Sequence, residues 1–302
     1  MPLAVCLDRR NGTTNRAMFV LFVYTSLQAM FSSSGTAAQT EAGTRHNQVR
    51  IYFIAADEVA WDYAPSGQDD VMGHSFDEFE NNYLQPGPHK IGRVYKKVIY
   101  REYVDAKFNR LKARPPDDQY LGILGPVLYG EVGDTLKIVF KNNASRPYSM
   151  HPHGVLYQKN SEGSGYNDGT SGDDKADGAV LPGKIHNYVW EIPERAGPGQ
   201  ADPSSVVWLY HSHVDELRDV ASGLFGAIVV TARGKARPDG HPADVDREFV
   251  SLMITINENE SWYLDENIRK YTTDPTASIR ENQFLKDRTE SLRRDWVAAS
   301  LM

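Results

Sequence analysis

The chain has 302 residues, of which 40% are apolar, enough to build a core in one large domain or two ordinary ones. A formal net charge of -7 and an isoelectric point near 5.7 argue against a nucleic-acid-binding surface, so no nucleic-acid partner is expected. Sixteen Tyr, five Trp, 24 Gly and 16 Pro suit an all-β domain with many turns.

The first element is an apolar run from Ala17 to Phe31. It follows Arg9, Arg10 and Arg16 and precedes small residues from Ser32 to Ala38. That order predicts a secretory signal peptide over residues 1–38. The run is too short to read as a transmembrane helix. The protein is therefore expected to be secreted, or to lie on the extracellular side of a longer, membrane-anchored form. The single cysteine, Cys6, falls in this leader, leaving the mature chain without a disulfide or a thiolate ligand. Two Asn-x-Ser acceptor sequons, at Asn143 and Asn259, fit an exported glycoprotein.

Residues 48–56 predict the first strand of the mature chain, and Ile91 to Tyr103 another. Leu121 to Tyr129 is an apolar run broken by Gly125-Pro126. Thr135 to Phe140 alternates like a strand after a Gly133-Asp134 turn. His186 to Ile192, Val206 to His211 and Phe225 to Thr231 complete the set. Gly, Pro, Asn and Asp separate these segments, and no amphipathic helix is evident before residue 276. The pattern predicts an all-β Greek-key sandwich or barrel over residues 39–232. Asn160 to Gly178 and Arg195 to Ser205 read as long loops.

An internal echo follows. Ile51 to Tyr63 passes from an apolar run through Asp57-Glu58 to Trp61 and Tyr63. Phe249 to Tyr263 passes from an apolar run through Asn257-Glu258 to Trp262 and Tyr263. Residues 233–275 thus read as a linker and the first strand of a second, related domain. Residues 276–302 carry Ile279, Leu285, Leu292, Trp296 and Val297 at roughly helical spacing among charges. That tail is expected to be helical or disordered, and the second domain to be a stub.

Four of the nine histidines form two His-x-His pairs, His151-Pro152-His153 and His211-Ser212-His213. Each pair sits at the end of a predicted strand, where residues i and i+2 project to one face. Imidazole is the commonest nitrogen ligand for copper and zinc. If the strand ends are neighbours, the four rings converge on one patch. That patch could chelate one ion or place its histidines on different ions of a cluster.

The flanks of the pairs carry a resemblance. Asn142 to Val155, Trp208 to Asp215 and Ala221 to Gly226 resemble the copper motifs of the multicopper oxidase family, of the ceruloplasmin and hephaestin ferroxidase type. Further similar segments are Glu58 to Pro65, Ile91 to Lys97, Leu121 to Pro126 and Asp246 to Val250, so the likeness spans roughly 48–275. The resemblance implies a first, N-terminal cupredoxin domain with a plastocyanin-like sandwich. It implies a ferroxidase-type oxidoreductase in which iron(II) is oxidised and dioxygen is reduced to water at a trinuclear copper cluster. His151 would be a type 2 copper ligand. His153, His211 and His213 would be ligands to the type 3 pair. The family's calcium loop would map to the Lys159 carbonyl, Asp174 and Asp177, with Gly178 where a second carboxylate is expected.

The chain departs from the family pattern at two points. No cysteine follows Cys6, so it supplies no type 1 blue copper site. Ser205 and Thr231 occupy the positions of the family's first-domain disulfide. The other half of the cluster would come from the remaining cupredoxin domains or a partner chain, and this chain alone is expected to be inactive. Two other readings are a mononuclear zinc enzyme using three of the histidines and a non-enzymatic copper-binding or interaction module.

Overall fold

The computed structural model describes residues 3–8 (backbone), 47–254 and 256–276. The strands are β1 (Leu3–Asp8), β2 (Val49–Asp62), β3 (Gln68–Asp69), β4 (His74–Ser75), β5 (Val94–Tyr103), β6 (Leu128–Glu131), β7 (Thr135–Asn142), β8 (His151–Pro152), β9 (Leu156–Tyr157), β10 (Ile185–Glu191), β11 (Ser205–His211), β12 (Phe225–Thr231) and β13 (Arg247–Leu252). Short helices interrupt them: α1 (Glu78–Leu84), α2 (Asp173–Ala176), α3 (Glu216–Ser222) and α4 (Leu264–Tyr271).

One sheet runs β5-β2-β7-β10-β9 and the other β6-β12-β11-β8. The β2–β7 and β6–β12 pairs are parallel, and the rest are antiparallel. This is the all-β sandwich the sequence predicts. Along β7, Leu136, Ile138 and Phe140 turn inward while Lys137, Val139 and Lys141 turn away. Tyr188 and Trp190 of β10 join them, facing Leu128, Tyr210, Ile228 and Val230 of the second sheet. Each fully buried aliphatic here contributes about 1.5–3 kcal/mol over an exposed one. Every residue of β12 is buried, which accounts for its unbroken apolar sequence. Its other face, with Phe225, Ala227 and Val229, packs on Leu124 and Val250.

Several expectations need correction. The strand expected from Ile91 begins at Val94, because Gly92 adopts a left-handed φ of +80° beside Pro86. Helices do occur before residue 276. In α4, Leu264, Asn267 and Ile268 are buried, with Asp265 and Glu266 in the first turn and Arg269 and Lys270 in the last. The helix was hard to read because a polar residue lies on its buried face. Asn267 accepts the Lys96 N–H at 2.6 Å and donates to the Lys96 carbonyl at 3.2 Å.

Residues 247–252, expected to open a second domain, form β13. It pairs with β1, from Leu3↔Leu252 to Asp8↔Arg247, so β1 lies inside the expected leader. Residues 256–272 fold back on the sandwich, where Tyr263 joins the main core. Residues 9–46, with the expected cleavage site, and residues 277–302 of the expected tail lie outside the described residues.

Candidate metal centre

β8 pairs with the end of β11, setting Pro152 opposite Tyr210 and His151 opposite His211. The ladder continues as His153 N–H donates to the Leu209 carbonyl at 2.9 Å. Beyond it, two serines stitch the loops together. The Ser149 N–H donates to Ser212 Oγ at 3.1 Å, and the His213 N–H donates to Ser149 Oγ at 3.0 Å. The outcome is one patch of four imidazoles. His151 lies 5.3 Å from His153, 5.6 Å from His211 and 5.0 Å from His213 between ring centroids, and His211 lies 5.1 Å from His153 and 5.5 Å from His213.

The rings are also oriented. The carbonyl of Glu162 accepts from His151 Nδ1 at 2.6 Å, and the carbonyl of Ser212 accepts from His211 Nδ1 at 2.9 Å. A carbonyl can only accept, so both protons sit on Nδ1; this leaves His151 Nε2 as a lone-pair donor and makes His211 Nε2 the acceptor in its contact with His153. His213 Nδ1 is held by Ser164 Oγ at 3.0 Å. His153 Nε2 faces His211 Nε2 at 3.0 Å. Burial is the largest influence on His151, His153 and His211, and it lowers all three pKa values. The rings are thereby kept neutral, the form that binds metal. This donor set fits copper or another imidazole-seeking ion. A cavity of about 430 Å³ adjoins the patch, lined by His153, His211 and Glu216 and by apolar side chains including Leu217, Phe225 and Ile254.

Sequence reasoning missed the supports. Asp219 on α3 is 1% exposed. Its Oδ2 accepts from the Ser212 hydroxyl at 2.7 Å and from the Val214 and Asp215 N–H groups at 3.1 Å each, clamping the second histidine loop. Its Oδ1 accepts from Trp262 Nε1 at 2.8 Å. Glu162, Gly163 and Ser164 form the other brace, touching His151 and His213. Gly163, at φ +71°, donates its N–H to Asp177 Oδ2 at 2.7 Å. A Cβ on Gly163 would lie 1.9 Å from the Met150 carbonyl oxygen. Only the spacing of Gly and Ser after the first histidine pair could have hinted at this brace.

Of the residues mapped to calcium, Asp177 is fully buried and its Oδ1 has no hydrogen-bond partner, while burial raises its pKa. An orphaned buried carboxylate oxygen suits a cation. Asp174 sits on α2 one turn before Asp177 with an exposed side chain. Lys159 spends its ammonium on Glu162 and Asp168. Asn143 is exposed and donates to Asp57 Oδ1 at 2.7 Å. Asn259 is exposed on a 3-10 turn.

Among the described residues, one group of three His or carboxylate donors lies within 4.8 Å of one another: Asp69, His74 and Glu80. Its carboxylates already accept backbone N–H groups of Val71, Met72 and Asp77. The four clustered histidines do not converge three at a time on a single point.

A family model described as "Multicopper oxidase" matches residues 121–235, the span that contains both histidine pairs. The chain is 46% identical to ferroxidase HEPHL1 of Mus musculus over 231 residues, covering 76% of this chain and 20% of that protein. It is 44% identical to hephaestin of Mus musculus over 243 residues, or 79% of this chain and 21% of that protein. Ceruloplasmin of Mus musculus is 39% identical over 250 residues, or 82% and 24%. The chain thus spans between a fifth and a quarter of these relatives' length. Among solved structures, a multi-copper oxidase from Pseudomonas thermotolerans covers 63% of this chain and 31% of its own, at 19% identity and a TM-score of 0.36. With its all-β sandwich and these relatives, the chain belongs to the multicopper oxidase family.

Proposed function

We propose that the chain is the N-terminal, copper-binding cupredoxin domain of an extracellular ferroxidase-type multicopper oxidase, supplying half of a trinuclear copper cluster. In this reading His151 ligates the type 2 copper, and His153, His211 and His213 ligate the type 3 pair. Iron(II) and dioxygen are the substrates. Bound copper supplies one-electron redox chemistry and the site at which dioxygen is reduced. The protein's part is to hold neutral Nε2 donors in place and to wall one side of the site with apolar side chains. The observation that carries the reading is the β8–β11 pairing, which brings both His-x-His pairs together with two Nδ1 protons committed to backbone carbonyls. Four rings spread over a patch, with no three donors on one point, favour several ions over the mononuclear zinc alternative.

No cysteine follows Cys6, so electron entry through a blue copper belongs to other cupredoxin domains or a partner chain, as do the remaining cluster ligands. The same fact supports a second reading, a copper-binding module without turnover of its own. The Lys159 carbonyl, Asp174 and Asp177 are assigned to calcium. Asn143 and Asn259 are assigned to glycosylation, residues 1–38 to a signal peptide, and residues 233–275 to the start of a second domain.

The test is copper stoichiometry together with the absorption spectrum and iron(II) oxidation, on the purified chain and on its His151→Ala and His213→Ala variants. Bound copper that is lost in both variants, with no intense band near roughly 600 nm, is the expected result. Failure to bind copper would overturn the reading. Sustained iron(II) oxidation that depends on both histidines would overturn the claim that the chain needs a partner.

A further inference from the structure

Two exposed apolar patches lie towards opposite ends of β2 and carry opposite charge. The first is on the excursion of residues 64–85, between β2 and β5. Val71, Met72, Phe79 and Tyr83 are 66% to 92% exposed there. Phe79 and Tyr83 stand one turn apart on α1, a helix that buries none of its side chains, and their rings meet edge-to-face at 5.5 Å. The excursion carries five Asp or Glu and no Lys or Arg.

The second patch is the outer face of the β5-β2-β7-β10-β9 sheet. Register sets Lys137 between Ile51 on one side and Val189 on the other, and Lys141 beside Ile185. Val49, Ile51, Ile185 and Val189 are 41% to 61% exposed. Lys137 and Lys141 make no ion pair among the described residues, and Lys141 lies over the Phe108 ring at 5.5 Å. Two unneutralised lysines on an apolar face stand out in a chain of net charge -7. The carboxylate of this face, Glu191, sits at the end of β10, opposite Thr135.

We infer that the acidic, apolar excursion of one copy docks on the basic, apolar sheet face of a second copy. A sheet face with an apolar centre is stabilised by a covering layer, and an aromatic helix stripe is a suitable one. The acidic charge around Phe79 and Tyr83 complements Lys137 and Lys141, so the pairing is favoured in one orientation and like patches repel. The chain cannot satisfy both patches by itself. From Ile51 to Asp62 β2 rises about 36 Å, and the excursion returns to β5 with Val94 opposite Asp62. Both ends of the excursion are therefore held far from Ile51 and Lys137. The contact joins two different patches, so it is heterologous, and each copy keeps one free patch for the next.

The experiment is sedimentation velocity on the full chain over a rising concentration series, at low and at high salt. The parent should self-associate, and less so at high salt, because exposed charges are screened. Lys137→Glu and Phe79→Asp should each weaken self-association by about tenfold or more. Both variants should melt like the parent, since both side chains are exposed. Mixed together they should form a one-to-one pair and nothing larger, because each retains the patch that the other has lost. A parent that stays monomeric at every concentration would overturn the inference. Self-association that survives both substitutions would overturn it too, placing the contact elsewhere. A parent that associates while the mixed variants do not pair would replace the head-to-tail contact by one between like patches. If either variant melts below the parent, Met72→Asp and Ile51→Glu take their places in the same mixing test, and the same outcomes decide.

Discussion

The register of β11 against β12 places Ser205 directly opposite Thr231, and cysteines at these positions should cross-link. Opposed residues of an antiparallel pair have Cα atoms about 4.5–5.5 Å apart, inside the disulfide range of about 4.4–6.8 Å. Positions 205 and 231 are 26 apart in sequence. The chain-entropy relation then gives about 3.5 kcal/mol of stabilisation at 25 °C. Two local effects modify it. Ser205 Oγ is buried without a partner, so removing that hydroxyl relieves about 1–3 kcal/mol. Thr231 Oγ1 donates to the Gly240 carbonyl at 3.0 Å, and losing that bond costs a similar amount. The net remains near 3 kcal/mol, worth about 6–12 °C in melting temperature for a domain of this size. The assay uses Ser205→Cys/Thr231→Cys in a Cys6→Ser background, with thiols counted and melting followed before and after reduction. Free thiols after treatment with an oxidant, or equal melting temperatures in the two redox states, would refute the register. A slip of one residue would turn the two side chains to opposite faces.

Gly163→Ala should lose metal binding and be destabilised by several kcal/mol, since its Cβ meets the Met150 carbonyl and the backbone is left-handed; cobalt titration and melting check both. Glu58 is pushed up by burial, but bonds from Lys96, Ser145 and Tyr263 outweigh this and bring its pKa down to about 2. A folded value below the unfolded one means stability that is present above about pH 4.5 and lost as pH falls towards 2, so Glu58→Gln should flatten acid unfolding in that window. Millimolar calcium should raise the melting temperature of the parent but not of Asp177→Asn, whose amide cannot supply the orphaned carboxylate charge; equal shifts in both would refute the assignment. Lys97 is fully buried, with Nζ on the Ala221 carbonyl at 2.6 Å and on Glu258 at 2.7 Å. Lys97→Ala should cost about 3–5 kcal/mol in chemical denaturation, and adding Glu258→Gln should recover part of it.

How much of this was legible in the chain follows from the range of the interactions. Leu136, Ile138 and Phe140 read as one face of a strand because side-chain alternation is local. His151 and His153, and His211 and His213, read as paired donors for the same reason. The meeting of the two pairs was not readable from pattern. It depends on β8, a strand of two residues, finding the end of β11 some sixty positions away. The resemblance to copper motifs supplied that step, not periodicity. The supports were further out of reach. Ser149 and Ser212 look like ordinary turn residues, and Asp219 looks like one charge on a short polar helix. Burial alone reveals their work, and burial is a property of the finished fold.

Trp262 ties the segment after the sandwich to the second histidine loop. Its echo of Trp61 placed it at the start of a separate unit. In the fold its indole N–H reaches Asp219, the same carboxylate that holds Ser212, Val214 and Asp215. Arg146 and Arg218 cover the ring from 3.7 and 4.5 Å, and Tyr263 beside it bonds to Tyr148 and Glu58. A buried carboxylate that accepts four hydrogen bonds has little freedom left, so the loop it holds inherits that rigidity. The segment from 256 to 272 is therefore part of the mechanical support of the second histidine pair, whichever domain it is descended from. Trp262→Phe keeps the ring and removes only the N–H. It should loosen His213 more than it lowers stability, visible as a broadened cobalt spectrum with a melting temperature within a few degrees of the parent. An unchanged spectrum would show that Asp219 holds the loop without help from beyond the sandwich.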